Sequence, residues 1–138
     1  MDVERISRES APAERASKQL EKEFAPRQQD LQRREAQIKE LQGQLEREAM
    51  TMAESDRRAK EQELARSNVE FQRMQREFRE DLTIRRNQEI QGLMERANRV
   101  IRKIAEAEKF DLIVQDAVYR DPRIDITDRV LKALAESK

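Results

Sequence analysis

Apolar residues between positions 13 and 109 recur at the spacing of amphipathic helices. In the first half of this stretch they repeat every seven residues, as do the a or d positions of a coiled coil. The second core position of each heptad is often charged, as at Arg27, Arg34 and Glu48, so we predict a loose and bendable pairing of helices. The heptad row itself comprises Phe24, Leu31, Ile38, Leu45 and Met52.

The repeat changes in the second half of the stretch. The heptad spacing resumes at Leu64, Phe71 and Phe78 and then gives way to a spacing of eleven residues. A repeat of eleven favours straight or slightly right-handed winding of a helix. The members of this second row are Phe71, Leu82, Leu93 and Ile104.

Capping and charged residues also indicate long helices. Ser10 is a suitable cap and is followed by a proline, which the first turn of a helix tolerates. Acidic residues precede basic residues by four positions, as in the pairs Glu35/Lys39 and Asp81/Arg85. Each such pair stabilises a helix by a few tenths of a kcal/mol at most, and none needs a functional explanation.

The apolar row is interrupted between residues 50 and 57, where Ser55 and Asp56 are suitable caps for a second helix. A single straight helix over residues 13–109 would be about 145 Å long. We therefore predict an antiparallel helical hairpin over residues 13–109, with its tip near residues 50–57. The absence of glycine and proline from the tip argues against this turn.

The last thirty residues have a different pattern. Residues 110–115 and 117–119 are short apolar runs rich in β-branched side chains, which predicts two strands. Residues 120–123 are typical of a turn, and Thr127 or Asp125 is expected to cap a short C-terminal helix. The apolar face of that helix comprises Val130, Leu131 and Leu134.

Residues 1–12 and 110–138 together make a small α+β body of about 40 residues, which seldom buries enough surface to be stable alone. We therefore interpret this body as an oligomerisation domain. Packing of the body on the base of its own hairpin, as a monomer, is the alternative. The residues assigned to oligomerisation are Leu112, Ile113, Val114, Ala117, Val118, Tyr119, Ile124, Ile126, Val130 and Leu134.

Composition narrows the function classes. Of 138 residues, 42% are charged and 36% are hydrophobic, and the net charge is zero. Disorder would require a high net charge or the absence of periodicity, and a dedicated nucleic-acid binder would be clearly basic. We therefore expect no nucleic-acid partner. The sequence also contains no apolar run that approaches the roughly 18 residues of a membrane span.

Residues that carry chemistry are nearly absent. The chain has no His, Cys or Trp and one Tyr, so the usual nucleophiles and proton shuttles are largely missing. We therefore predict that the chain is not an enzyme, and that it has no catalytic residues, no cofactor and no metal site. Gly43 and Gly92 stand alone in helical segments, where each costs up to about 1 kcal/mol relative to Ala.

Two sets of side chains are candidates for binding other macromolecules. Methionine and aromatic residues suit promiscuous apolar contacts, although filling the gap between two helices is their simpler role. Arg57, Arg58, Arg85 and Arg86 form two basic pairs that could contact anionic lipid or an acidic partner, with solvated helix surface as the alternative. The apolar candidates are Phe24, Leu31, Ile38, Met50, Met52, Phe71, Met74 and Phe78.

The C-terminal stretch resembles the signature of the Skp/OmpH family of periplasmic chaperones. The resemblance is carried by residues 110–114, 117–119 and 125–134. Residues 21–24, 55–57 and 85–87 resemble the first arm, the tip and a basic point on the returning arm of the family's helical tentacle. The resemblance as a whole covers roughly residues 3 to 134.

This resemblance implies a mainly α, jellyfish-like homotrimer, in which long helical-hairpin tentacles descend from a small β-containing oligomerisation body. It further implies an ATP-independent holdase in the periplasm of a Gram-negative bacterium. Its partners would be unfolded outer-membrane β-barrel proteins, held between the tentacles. The alternative is a scaffold coiled coil that joins fixed partners. The zero net charge departs from the strongly basic character of some family members.

Family members open with a signal peptide and a short apolar strand before the segment that matches residues 2–6. We expect that Met1 is not the native start, since that strand precedes the matching segment in the family. Intact-mass measurement of the native cellular protein tests this expectation, and a native chain beginning at Met1 would contradict it.

Overall fold

A computed structural model describes residues 1–115 and 117–137. Four helices are present in these residues, and the mainly α fold class is confirmed. They are α1 (Val3–Glu9), α2 (Ala11–Glu48), α3 (Glu54–Glu108) and α4 (Thr127–Glu136). The chain divides into two compact units. Unit 1 contains residues 1–21 and the chain from residue 84 onward, and unit 2 contains residues 22–83.

Helix α1 was not predicted from the sequence. Its N-cap is Asp2, whose Oδ1 accepts a hydrogen bond of 3.0 Å from the backbone N–H of Arg5. Ser10 ends α1 in an extended conformation, and its Oγ accepts a bond of 3.3 Å from the N–H of Ala13. The helix start predicted at Ser10 is therefore confirmed, and the same residue separates α1 from α2.

Residues 49–53 connect α2 to α3. The N–H groups of Thr51 and Met52 both bond to the carbonyl of Glu48, which satisfies the C-terminus of α2 without glycine. Helix α3 begins at Glu54, so Ser55 and Asp56 lie in its first turn rather than in front of it. Acidic residues in the first turn still favour the positive end of the helix dipole.

Unit 1 is built around a hydrophobic core. Helix α4 is amphipathic, and its Val130 and Leu134 are completely buried against side chains of α1 and α3. The buried Ser10 and Thr127 both take part in hydrogen bonds, as buried polar groups must. The hydrophobic core comprises Met1, Ile6, Ala97, Val100, Ile126, Val130 and Leu134.

Helix α3 ends in a left-handed turn. Lys109 has a φ of 56°, and the N–H of Phe110 bonds to the carbonyl of Ala105 at 3.0 Å, which is the longer bond of a Schellman cap. Arg129 of α4 binds the carboxylate of Glu108 and places its guanidinium 5.7 Å from the centre of the Phe110 ring. These contacts fix the exit of the chain from α3 to α4.

The segment between α3 and α4 is irregular. The turn predicted at residues 120–123 is present one position further on, at residues 121–124, since the N–H of Ile124 bonds to the carbonyl of Asp121 at 3.0 Å. Strands are predicted at residues 110–115 and 117–119, but the described part of this single chain contains no strand. A strand requires a neighbouring strand for its backbone groups, and no other described segment offers one.

Unit 2 is two helical arms with little buried surface. The first arm is the part of α2 from residue 22, and the second is the part of α3 up to residue 83. Only Phe24 and Leu45 are buried in this unit. Pro26 lies inside α2 and cannot donate the usual hydrogen bond to the carbonyl four residues earlier, so the helix is weakened beside Phe24.

Candidate functional site

Four side chains join the two arms of unit 2. The rings of Phe24 and Phe78 pack edge to face, with centres 5.6 Å apart and planes at 82°. The guanidinium of Arg27 lies 5.6 Å from the first ring centre and 5.8 Å from the second. Arg27 also forms an ion pair of 2.7 Å with Asp81. We call these four residues the arm cluster.

Sequence reasoning missed the arm cluster. It predicted a pair of Asp81 with Arg85, one turn along the same helix, but not the ion pair of 2.7 Å that Asp81 forms with Arg27 of the other arm. The charge of Arg27 at a core position of the heptad was the available signal. A cation there can lie over aromatic rings while a carboxylate neutralises it.

A hollow of about 220 Å³ lies beside the arm cluster. Its apolar wall consists of Leu31, Met74 and Phe78, all half-buried. Charged side chains of both signs complete the lining, and each has an opposite charge nearby: Arg27 pairs with Asp81 at 2.7 Å, Asp30 with Arg33 at 3.4 Å, and Glu77 with Arg73 at 2.8 Å.

The other predicted apolar contact residues follow the two arms. Phe24 is buried and Met50 is fully exposed at the connection. The remaining six are half-buried, which leaves part of each side chain open to solvent: Leu31, Ile38, Met52, Phe71, Met74 and Phe78. The structure brings together three of the eight, Leu31, Met74 and Phe78, in the hollow.

The surface of the arms carries closely spaced charges of both signs. The predicted pair Glu35/Lys39 is confirmed, at 2.9 Å. Arg73 bonds to Glu70 at 2.6 Å, and this hydrogen bond is the main reason that the pKa of Glu70 lies below its usual value. Exposed pairs of this kind contribute little to stability. Their effect is to keep the arms hydrated while charges of the two signs nearly cancel.

The predicted basic pairs have acidic neighbours. Arg57 lies 3.7 Å from Glu61, and Arg58 lies 2.7 Å from Glu54. The Arg85 guanidinium contacts Glu89, and Arg86 is exposed. A guanidinium that already faces a carboxylate attracts other anions less strongly, so Arg86 is the most available of these cations.

The predicted oligomerisation residues divide into two sets. Ile126, Val130 and Leu134 are buried in the core of their own chain, and Ile113 is half-buried. The others are exposed, and several of them line a hollow of about 390 Å³ on unit 1. This exposed set, which we call the apolar face, comprises Leu112, Val114, Ala117, Val118, Tyr119 and Ile124.

A polar network beside the apolar face joins the two ends of unit 1. Arg120 donates a hydrogen bond of 2.6 Å to Asp2 and forms an ion pair of 2.9 Å with Asp125. The pKa of Asp125 is lowered mainly by the hydrogen bond from the Thr127 hydroxyl, and that of Asp2 mainly by the N–H of Arg5. Sequence reasoning missed this network, since Asp2 lies more than a hundred positions from Arg120 and Asp125.

No helix in residues 1–115 and 117–137 is both long and apolar enough to cross a bilayer. The same residues contain no group of three or more acidic side chains placed to hold a metal ion. What they present is a set of shallow apolar surfaces framed by balanced charge. Such surfaces suit many weak contacts better than one specific bond.

Comparison with known proteins places the chain in a family. Residues 1–134 match the family described as outer membrane protein, OmpH-like. The chain is 31% identical to Chaperone protein Skp of Yersinia enterocolitica over 134 residues, which is 96% of this chain and 82% of the relative. It is also 31% identical to Chaperone protein Skp of Photorhabdus luminescens and 29% identical to that of Pectobacterium atrosepticum, each over 96% of this chain and 81% of the relative. The chain therefore belongs to the OmpH-like family, whose members include the Skp chaperones.

Proposed function

We propose that this chain is an ATP-independent holdase chaperone, which binds unfolded outer-membrane β-barrel proteins and prevents their aggregation. The name of its relatives supports the chaperone role, and the name of the family supports a link to outer-membrane proteins. A holdase needs many weak contacts and no chemical step. We place its work in the periplasm, where a barrel protein is unfolded before insertion.

The lightly packed seam of unit 2 carries this proposal. Only Phe24 and Leu45 are buried, while Leu31, Phe71 and Met74 remain partly open. Side chains in this state can contact a client without unfolding the hairpin. Methionine and aromatic groups adapt to many partners, and the balanced ion pairs around them keep the empty chaperone soluble.

We further propose that three copies assemble through the apolar face. Val118 and Tyr119 are almost entirely exposed, although side chains of these types are usually at least partly buried in folded proteins. The same segment has β-branched residues at 113, 114 and 118 but no strand in the described part of the single chain. Pairing of residues 110–115 and 117–119 with a neighbouring copy would satisfy their backbone groups and form the small β body.

The first experiment is light scattering on a sizing column, with and without a urea-unfolded outer-membrane barrel protein diluted into the sample. We expect a trimer that gains the mass of one client and keeps that client soluble. A stable oligomer that leaves the client to aggregate would instead favour a scaffold that joins fixed partners.

Two substitutions separate assembly from folding. Val118→Asp places a charge on the exposed apolar face, so it should reduce the native mass to that of a monomer while helicity is retained. Ile126→Asp buries a charge in the chain's own core, so it should unfold unit 1. A Val118→Asp chain that remains a trimer would remove the apolar face from the proposed interface.

Client binding is tested with Phe71→Ser and Met74→Ser together, both half-buried on the second arm. We expect weaker client binding with unchanged oligomer mass. Val69→Ser is the matched control on the same helix, since Val69 is 68% exposed and is not part of the heptad row. Equal client affinity of all the chains would assign Phe71 and Met74 to hairpin packing alone.

A contact between Arg86 and anionic lipid is a separate proposal, supported by the exposure of this side chain. Co-sedimentation with vesicles that contain phosphatidylglycerol, compared between the parent chain and Arg86→Gln, tests it. Equal sedimentation of the two chains would contradict it.

A further inference from the structure

The hollow beside the arm cluster has a defined size. At about 220 Å³ it is larger than the roughly 150 Å³ cavity that holds benzene when engineered into another protein. It therefore has room for one six-membered ring together with the atoms that carry it. Both arms contribute to its wall, Leu31 from α2 and Met74 with Phe78 from α3.

The chemistry of the lining favours an aromatic ring over an aliphatic group. An aromatic ring has a negative face and a positive edge, and two acidic residues, Asp30 and Glu77, are part of the lining of the hollow. Phe78 can pack edge to face with an entering ring, as it already does with Phe24. The Met74 sulfur adds a favourable contact to a ring edge. An aliphatic side chain gains none of these electrostatic contacts.

The geometry points to a specific occupant, and we propose that this hollow binds one aromatic side chain of an unfolded β-barrel client. This inference rests on the holdase function proposed above. Membrane-spanning barrels have girdles of aromatic residues at both interfaces, so an unfolded barrel protein offers rings at many points along its chain. The hollow binds aromatic rings of the client specifically. The rest of the seam holds the client through less specific apolar contacts.

The test compares two clients and three chaperone chains. One client is a urea-unfolded eight-stranded outer-membrane barrel protein, and the other is the same protein with its Phe, Tyr and Trp residues replaced by Leu. Both carry a dye, and their affinities are measured by fluorescence anisotropy. Leu31→Phe fills the hollow with the chaperone's own ring. Leu41→Phe is the matched control, since Leu41 lies further along the same arm, is also half-buried, does not line the hollow and is not one of the predicted client contacts.

We expect the parent chain to bind the aromatic client about two- to tenfold more tightly than the leucine client. Leu31→Phe should remove this difference, whereas Leu41→Phe should keep it. Circular dichroism and native mass establish that each variant is folded and assembled before its affinity is compared.

Three results overturn the inference. The first is equal affinity of the parent chain for the two clients. The second is a Leu31→Phe chain that keeps the preference, and the third is a Leu41→Phe chain that loses it equally. In each of these cases the holdase function stands if the clients remain soluble. A parent chain that binds neither client would overturn the proposed function together with the inference.

Discussion

Units 1 and 2 are stabilised in different ways. In unit 1, a hydrophobic core collects side chains from α1, α3 and α4, and Val130 and Leu134 have no exposed surface. In unit 2, only Phe24 and Leu45 are buried, and many of the remaining contacts are ion pairs on exposed helix surface. Burial of apolar area is the larger contribution to stability, and exposed ion pairs contribute about 0–1 kcal/mol each.

The difference indicates a division of labour. A unit with a packed core keeps one conformation, since any rearrangement opens cavities. A hairpin that is fixed mainly at Phe24 and Leu45 has partly exposed apolar residues between these points. It loses little stability when those residues move. Under the function proposed above, a body that assembles would suit the first arrangement, and arms that contact varied clients would suit the second.

The largest effect is expected from a cavity in unit 1. Leu134→Ala removes a completely buried side chain and should lower the free energy of unfolding by about 2–5 kcal/mol. Leu131→Ala, on the same helix but only half-buried, should cost clearly less. Urea unfolding followed by circular dichroism measures both changes. Equal losses would show that the packing of α4 does not distinguish its two faces.

A second cavity tests unit 2. Phe24→Ala removes the ring from the arm cluster, together with its edge-to-face contact and its contact with Arg27, and should cost about 3 kcal/mol. Because Phe24 is one of only two buried side chains in unit 2, the loss of stability should be confined to that unit.

Hydrogen exchange should therefore accelerate in residues 22–83 and remain unchanged in the core of unit 1. Phe71→Ala is the control, since Phe71 is half-buried and lies outside the arm cluster. Faster exchange in both units after Phe24→Ala would contradict the independence of their stabilities.

The sequence was most informative where one element determines its own structure. The helix start at Ser10, the pair Glu35/Lys39 and the turn near residues 120–123 depend on neighbours within a few positions, and the structure contains all three. The row of apolar residues spaced by eleven positions includes Leu93, which is buried. Such features follow from periodicity and capping alone.

Contacts between distant segments were not accessible in this way. Nothing in the sequence pairs Arg27 with Asp81 or Arg120 with Asp2, because an exposed charge can choose among many partners. Helix α1 was missed, since its seven residues are too short for a periodic signal. The strands at residues 110–115 and 117–119 were inferred from side-chain type, whereas strand formation also requires a partner.

Acid should affect the polar network of unit 1. Asp125 has a pKa below its ordinary value in the folded chain, so its contribution to stability is present above about pH 4 and is lost as pH falls through the folded pKa. We expect a lower melting temperature at pH 3 than at pH 7. Asp125→Asn should lower the melting temperature at pH 7 and flatten this dependence.

The control for the acid experiment lies in unit 2. Glu70 also has a lowered pKa, but its partner Arg73 is three residues away on the same exposed helix. Glu70→Gln should therefore change the acid dependence less than Asp125→Asn does. A larger effect of Glu70→Gln would show that local helix pairs, rather than the network around Arg120, govern stability in acid.

The smallest effects should come from the two glycines, one in each unit. A methyl group at Gly92 would meet no atom within 4 Å, so Gly92→Ala should raise the free energy of unfolding by about 0.5–1 kcal/mol through helix propensity alone.

At Gly43 the added carbon would lie 3.2 Å from Nη1 of Arg47, which must move aside. Because the Arg47 guanidinium is exposed and its ion pair with Glu40, at 3.5 Å, is long, this movement should cost little. Gly43→Ala should therefore stabilise the chain by a similar amount. Thermal melts of the two variants measure the difference. A destabilising Gly43→Ala would mean that the arms of unit 2 are packed as closely as the core of unit 1, and the contrast between the units would then have to be given up.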